Sequence, residues 1–148
     1  MYSGTYHQRL DAKGRLALPA RLREELASAG QGPLVVTGWA RAIWLYGPED
    51  WRRVVDQASR MPSQNRSVAR FNRYFFGYAT EIELDGQGRF LIPPSLRDLA
   101  GLQKEVVVAG SFRRIELWDR ERWEEGLPTT QAEFDGIDAE LSDYNLPL

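Results

Sequence analysis

The chain has 148 residues, 43% of them hydrophobic and 27% charged, and its 5 Trp, 6 Tyr and 6 Phe supply the large apolar side chains of a packed core that a disordered chain lacks. With no cysteine and one histidine, disulfide scaffolds, thiol chemistry, zinc fingers and iron–sulfur sites are excluded together. With no apolar run near the roughly 20 residues of a membrane span and no basic-then-apolar leader, a soluble cytoplasmic protein is expected. The net charge of −2 conceals a division: residues 1–73 carry 12 Arg or Lys against 6 Asp or Glu, and residues 74–148 carry 7 against 15, which places a basic working surface in the first half.

In chain order, the first half reads as strand, tight turn, strand, short helix, strand, strand and helix. Tyr6 and His7 fall on the first strand, and the turn is Asp11–Gly14, where Asp accepts from turn N–H groups and Gly supplies a positive φ. Pro19 fits the first turn of the short helix, Gly30 and Gly32 mark a loop, and Trp39 and Trp44 flank a hairpin turn where they are candidates to face a neighbouring subunit. Pro48 followed by Glu49 and Asp50 opens the next helix, with acid at its positive end. A linker helix is expected from Val68 to Tyr78. Phe71, Tyr74, Phe75 and Tyr78 recur there at helical spacing, and Arg66, Arg70 and Arg73 fall on the other side; we read them as a solvated face rather than a phosphate-tracking stripe.

The second half repeats the first. Leu10–Pro19 aligns with Leu84–Pro93 at an offset of 74, Leu22 and Arg23 with Leu96 and Arg97, and Leu34–Val36, Ile43, Leu45 and Trp51 with Val106–Val108, Ile115, Leu117 and Trp123 at an offset of 72. The two-residue slip falls at the Gly30–Gly32 loop. Thr80–Leu84 alternates as a half-buried strand, Asp85–Gly88 repeats the turn, and Pro93 repeats the helix start. From Pro128 the chain carries five acidic residues and no Arg or Lys, and reads as a mobile or weakly docked appendage. The expected organisation is therefore residues 1–62 as the first repeat, 63–78 as linker helix, 79–127 as the second repeat and 128–148 as an acidic tail.

The segments Leu10-Asp11-Ala12-Lys13-Gly14-Arg15 and Leu84-Asp85-Gly86-Gln87-Gly88-Arg89, with what surrounds them, resemble the twin Asp-x-x-x-Arg repeats of the MraZ family over about residues 1–127. The resemblance implies a mainly β fold with short helices, a tandem swapped-hairpin barrel related to AbrB-like regulators. It further implies a ring-shaped homo-oligomer that binds G-rich direct repeats upstream of the division and cell wall gene cluster as a repressor.

Physically, Asp and Arg four apart bracket a turn, so Asp11–Arg15 and Asp85–Arg89 can pair across its mouth and, with Gly88, serve structure. The first turn also carries Lys13 where the second has Gln87, and Arg9 precedes it where Glu83 stands. Arg15 is accordingly the candidate base reader, since its planar fork matches guanine, with Lys13 and Arg9 as phosphate contacts and Gly14 allowing close backbone approach. The second turn looks poorly suited to DNA.

No enzyme is expected. Glu81, Glu83 and Asp85 read as the polar face of a strand, Gly30-Gln31-Gly32 and Gly86-Gln87-Gly88 lack the third glycine of a dinucleotide fingerprint, and His7 has no identifiable partner. The expected partners are double-stranded DNA and the protein itself, with no cofactor, metal, membrane or small-molecule substrate, and with location on the nucleoid. The alternative is an AbrB-like interaction scaffold or antitoxin-type module.

Overall fold

The computed structural model describes Met1–Leu148 throughout. The first copy runs β1 (Thr5–Arg9), β2 (Arg15–Ala17), α1 (Ala20–Ala27), β3 (Leu34–Trp39), β4 (Ala42–Tyr46) and α2 (Pro48–Ala58), followed by α3 (Arg66–Phe75). The second runs β5 (Thr80–Ile82), β6 (Arg89–Leu91), α4 (Pro94–Ala100), β7 (Glu105–Ser111), β8 (Arg114–Asp119) and α5 (Arg120–Glu125), followed by α6 (Gln131–Leu141) and a 3₁₀ turn over Ser142–Tyr144. The element order of the repeat is the expected one.

The copies are intertwined. A six-stranded antiparallel sheet has the order β1-β7-β8-β4-β3-β5, and β2 and β6 form a separate two-stranded ribbon. β1 lies on β7 with Tyr6 opposite Val108, β5 lies on β3 with Leu34 opposite Ile82, and β4 meets β8 at the centre with Trp44 opposite Glu116. Exchanging the copies reverses the sheet order onto itself, so a pseudo-two-fold axis runs between β4 and β8. The swapped-hairpin expectation is met by this exchange of first strands; in place of a closed barrel, the open six-stranded sheet and the ribbon face one core. That core joins Leu16, Leu18 and Leu22 to Phe90, Ile92 and Leu96, and both sets to Val36, Ile43, Leu45, Val106, Val108, Ile115 and Leu117.

Several boundaries differ from the expected ones, for local reasons. The linker helix occupies Arg66–Phe75 because the Asn65 side chain caps it, accepting from the N–H groups of Ser67 (2.9 Å) and Val68 (3.2 Å); Tyr78 lies beyond its end. Strand β5 stops at Ile82, two residues short, where the chain turns toward Asp85. Pro19 and Pro93 stand one residue earlier than expected, as the residues that precede α1 and α4.

Helix α3 is held by aromatics. Phe75 is buried, stacks on Phe71 at 4.9 Å and on Trp51 at 5.8 Å, and meets Trp44 edge-on at 6.2 Å. Trp39 packs on Phe71 at 5.0 Å, and Arg114 lies 3.5 Å over the Trp44 ring, so both tryptophans find partners within the chain. The buried Thr37 hydroxyl donates to the Phe75 carbonyl. Trp123 pairs only with Trp118, at 6.2 Å.

Candidate nucleic-acid interface

The two Asp-x-x-x-Arg turns have the same geometry. One carboxylate oxygen of Asp11 accepts from the backbone N–H groups of Lys13 and Arg15, both at 2.9 Å, and the other accepts from Arg15 Nε at 2.6 Å. Asp85 takes Gln87 and Arg89 N–H at 2.9 Å and Arg89 Nε at 3.0 Å. These donors, led by the backbone N–H of Arg15 or Arg89, hold each carboxyl below its ordinary pKa. Gly14 and Gly88 close the turns at φ of +82° and +74°, a conformation that side chains disfavour. Because Asp engages only Nε, the two Nη groups of each arginine point onward with no protein acceptor, oriented but free.

Pairing of β2 with β6 decides where they point. Arg15 lies opposite Leu91, Leu16 opposite Phe90, and Ala17 opposite Arg89. Leu16 and Phe90 are buried, so by the two-residue period of strands Arg15, Ala17, Arg89 and Leu91 share the outward face. Leu18 N–H donates to the Gly88 carbonyl at 2.9 Å and Ile92 N–H to the Gly14 carbonyl at 3.2 Å, tying each turn to the other copy's strand. The result is a two-stranded ribbon with an arginine at two diagonal corners, a turn at each end and Leu91 exposed opposite Arg15. A two-stranded ribbon has the width to enter a major groove.

Lys13 and Gln87 sit at the exposed turns. Arg9 ends β1 opposite Glu105 and lines a surface depression with Lys104, Arg120 and Glu124, apart from the ribbon. Two arginines that sequence reasoning noted only as matched repeat positions join the ribbon instead. Arg97 of α4 approaches Gly14, and Arg23 of α1 packs on Gly88 with its buried Nε unpartnered. Each helix thus braces the turn of the other copy. The matched Leu22-Arg23 and Leu96-Arg97 pairs were the available signal, but the exchange that gives them this position is not written in either copy alone.

No helix is long and apolar enough to cross a membrane.

Fold and site together define a class: an internally duplicated, strand-exchanged α+β protein that presents paired arginines on one antiparallel ribbon. The family described as "MraZ protein, putative antitoxin-like" matches residues 1–74 and again residues 75–145. Similar proteins include the transcriptional regulator MraZ of Moorella thermoacetica, 38% identical over 146 residues, which are 99% of this chain and 100% of that protein. The transcriptional regulator MraZ of Thioalkalivibrio sulfidiphilus is 44% identical over 124 residues, 83% of each chain, and that of Saccharophagus degradans 40% over 125 residues, 83% of this chain and 85% of that one. The chain belongs to the MraZ family. The second match takes in α6, beyond residue 127, where the motif resemblance ended.

Proposed function

We propose that the chain is a sequence-specific DNA-binding transcriptional regulator that lays its β2–β6 ribbon into the major groove. The observation that carries this reading is the shared outward face of Arg15 and Arg89, each aligned by an aspartate through Nε with its Nη groups free. Such an arginine donates two hydrogen bonds to guanine O6 and N7, which suits G-rich sites. Arg15 and Arg89 read bases, Lys13 meets phosphates, and Arg9 is an outlying phosphate contact; Gly14, expected to approach a phosphate, is buried with its N–H on the Asp11 carbonyl and its own carbonyl on Ile92 N–H, and serves the turn. One ribbon makes few contacts and binds weakly, so affinity comes from several copies in a ring meeting successive direct repeats at once. The targets are repeats upstream of the protein's own operon, in the division and cell wall cluster, with repression as the outcome and the nucleoid as its place of action.

The test compares wild type, Arg15→Ala and Arg89→Ala on duplexes with the repeats intact or scrambled, across a salt series, with assembly followed by sedimentation. Each substitution is expected to reduce the preference for intact repeats about 10- to 100-fold, as the loss of a bidentate guanine contact does, without altering assembly. Equal binding of both duplexes by wild type would overturn the reading in favour of an interaction scaffold.

A further inference from the structure

Helix α4 carries an arginine that the chain leaves without a counter-charge. Arg97 is half-buried, its Nε donates to the Leu102 carbonyl at 3.4 Å, and no carboxylate pairs with it. Its Nη1 lies 3.3 Å from the point where a Cβ on Gly14 would stand, and the same point is 3.7 Å from Cδ1 of Leu91. Leu91 shares the outward face of the ribbon with Arg15, so the Arg97 guanidinium borders that face at its Gly14 end. Packing on the turn leaves the Nη groups at solvent with no acceptor in the chain.

The counterpart, Arg23 of α1, packs on Gly88 in the same way but in different surroundings. Each arginine is followed by an acid, Asp98 or Glu24, so the difference arises elsewhere. Arg23 shares a depression with Glu81 and Glu83, which lead into the second turn, and that turn carries Gln87. At the other end the equivalent of Glu83 is Arg9, that of Gln87 is Lys13, and Lys104 stands where the first copy has its Gly30–Gly32 loop. Lys104 is brought to the first turn by the bond from Leu10 N–H to its carbonyl, at 2.8 Å. Most carboxylates in the depression of Arg9 and Lys104 are engaged: Glu105 and Glu124 accept from Arg120 at 3.0 and 3.1 Å, and buried Asp119 accepts from Gln103 N–H at 3.2 Å, which leaves Glu121. Arg97 thus stands in a field of positive sign and Arg23 in one of mixed sign.

We infer that Arg97 is a phosphate contact. The second copy lends it to the turn that carries Lys13, and these two cations hold the DNA strand that passes this end of the ribbon, while Arg23 holds none. The ends of a ribbon seated in a major groove meet the walls of the groove, which are phosphate backbone, so a cation set on a helix behind the turn reaches phosphates rather than base edges. Strand exchange makes the contact, because Arg97 and Gly14 belong to different copies. The inference rests on the ribbon reading above and adds a residue to it.

The test uses the full chain on duplexes with the repeats intact or scrambled, with affinity followed across a salt series and folding checked by thermal melts. Arg97→Gln is expected to weaken both duplexes alike, about tenfold for each bound copy at about 0.1 M salt, and to lower the slope of log affinity against log salt by about one per copy. Arg97→Lys keeps the slope, and Arg23→Gln leaves it at the wild-type value. A slope unchanged by Arg97→Gln, or lowered equally by Arg23→Gln, overturns the inference. A second measurement leaves the protein untouched: uncharged methylphosphonates replace, in turn, the phosphates around one repeat. Wild type is expected to lose affinity on one flank of the guanines only, and equal losses on both flanks overturn the inference. If wild type binds intact and scrambled duplexes alike, the ribbon reading fails with it; if intact repeats are preferred and the slope result fails, the ribbon reading stands alone.

Discussion

Severing the chain between Gly77 and Tyr78 tests the strand exchange directly. β1 has its ladder on β7, β5 on β3, β2 on β6 and β4 on β8, so only β3–β4 and β7–β8 survive within a single half. Of the 19 residues in the buried core cluster, nine precede the cut and ten follow it. At about 2 kcal/mol for each buried apolar side chain, and with about half of that burial supplied by the other copy, an isolated first half loses about 9 kcal/mol. That equals the whole stability of an ordinary domain, about 5–15 kcal/mol. Neither half is expected to fold as a monomer, whereas equimolar mixing restores native far-ultraviolet circular dichroism and one cooperative melt. The pseudo-two-fold relation also leads us to expect some self-pairing of the first half, visible as concentration-dependent sedimentation. A monomeric first half that melts cooperatively would refute the reasoning.

Phe75→Ala removes a ring that stacks on Phe71 and Trp51; at about 3–5 kcal/mol for such a deletion and about 2–4 °C per kcal/mol, Tm is expected to drop by about 6–20 °C, and a drop under about 3 °C would deny Phe75 its central place. Gly88→Ala forces a Cβ onto a residue at φ +74° and against Arg23, and is expected to cost about 1–2 kcal/mol, while Gly86→Ala, with open space around it, leaves the denaturation midpoint unchanged; equal effects would contradict the turn geometry. The Tyr2 hydroxyl is pushed up to about 12, first by burial and then by Asp50 and Glu25, so the unfolded chain loses this proton more readily than the folded one. Stability from Tyr2 is complete below pH 10 and lost as pH climbs toward 12; Tyr2→Phe is expected to flatten that loss in denaturant midpoints measured across the window, and an unchanged slope would refute it.

The elements were legible where the cause was local. Alternation marked β5, Pro48 with its acidic turn marked α2, and the repeat offset carried each assignment to its counterpart. Strand partners were not legible. Two copies with the same apolar pattern offer the same hydrophobic faces to each other as to themselves, so period and composition are equally satisfied whether β1 pairs within its own half or with β7, a hundred residues away. What separates these arrangements is chain connectivity and packing, which no window of sequence contains. The helix within the tail was not legible for a different reason: the five carboxylates dominate its composition, and Phe134, Ile137 and Leu141 are spaced too sparsely to mark a helix, although Thr130 and Glu133 already stood at capping-box spacing.

At the site, the Asp11–Arg15 pair could be foreseen because four residues of turn contain all of its geometry. That Arg89 shares the outward face of Arg15 could not, because it depends on β2 pairing with β6. The pairing also bears on how a fused duplication reads DNA. A homodimer of identical halves has an exact two-fold axis and matches a palindrome. Here the backbone keeps that axis while the side chains depart from it, with Lys13 at one turn and Gln87 at the other, and Arg9 before one where Glu83 precedes the other. The two ends of the ribbon thus differ in charge. In the proposed binding mode a reader with distinct ends meets its site in one orientation, and copies related by rotation about a ring meet successive sites in the same sense. Direct repeats, rather than inverted ones, are the sequence arrangement that such a reader selects.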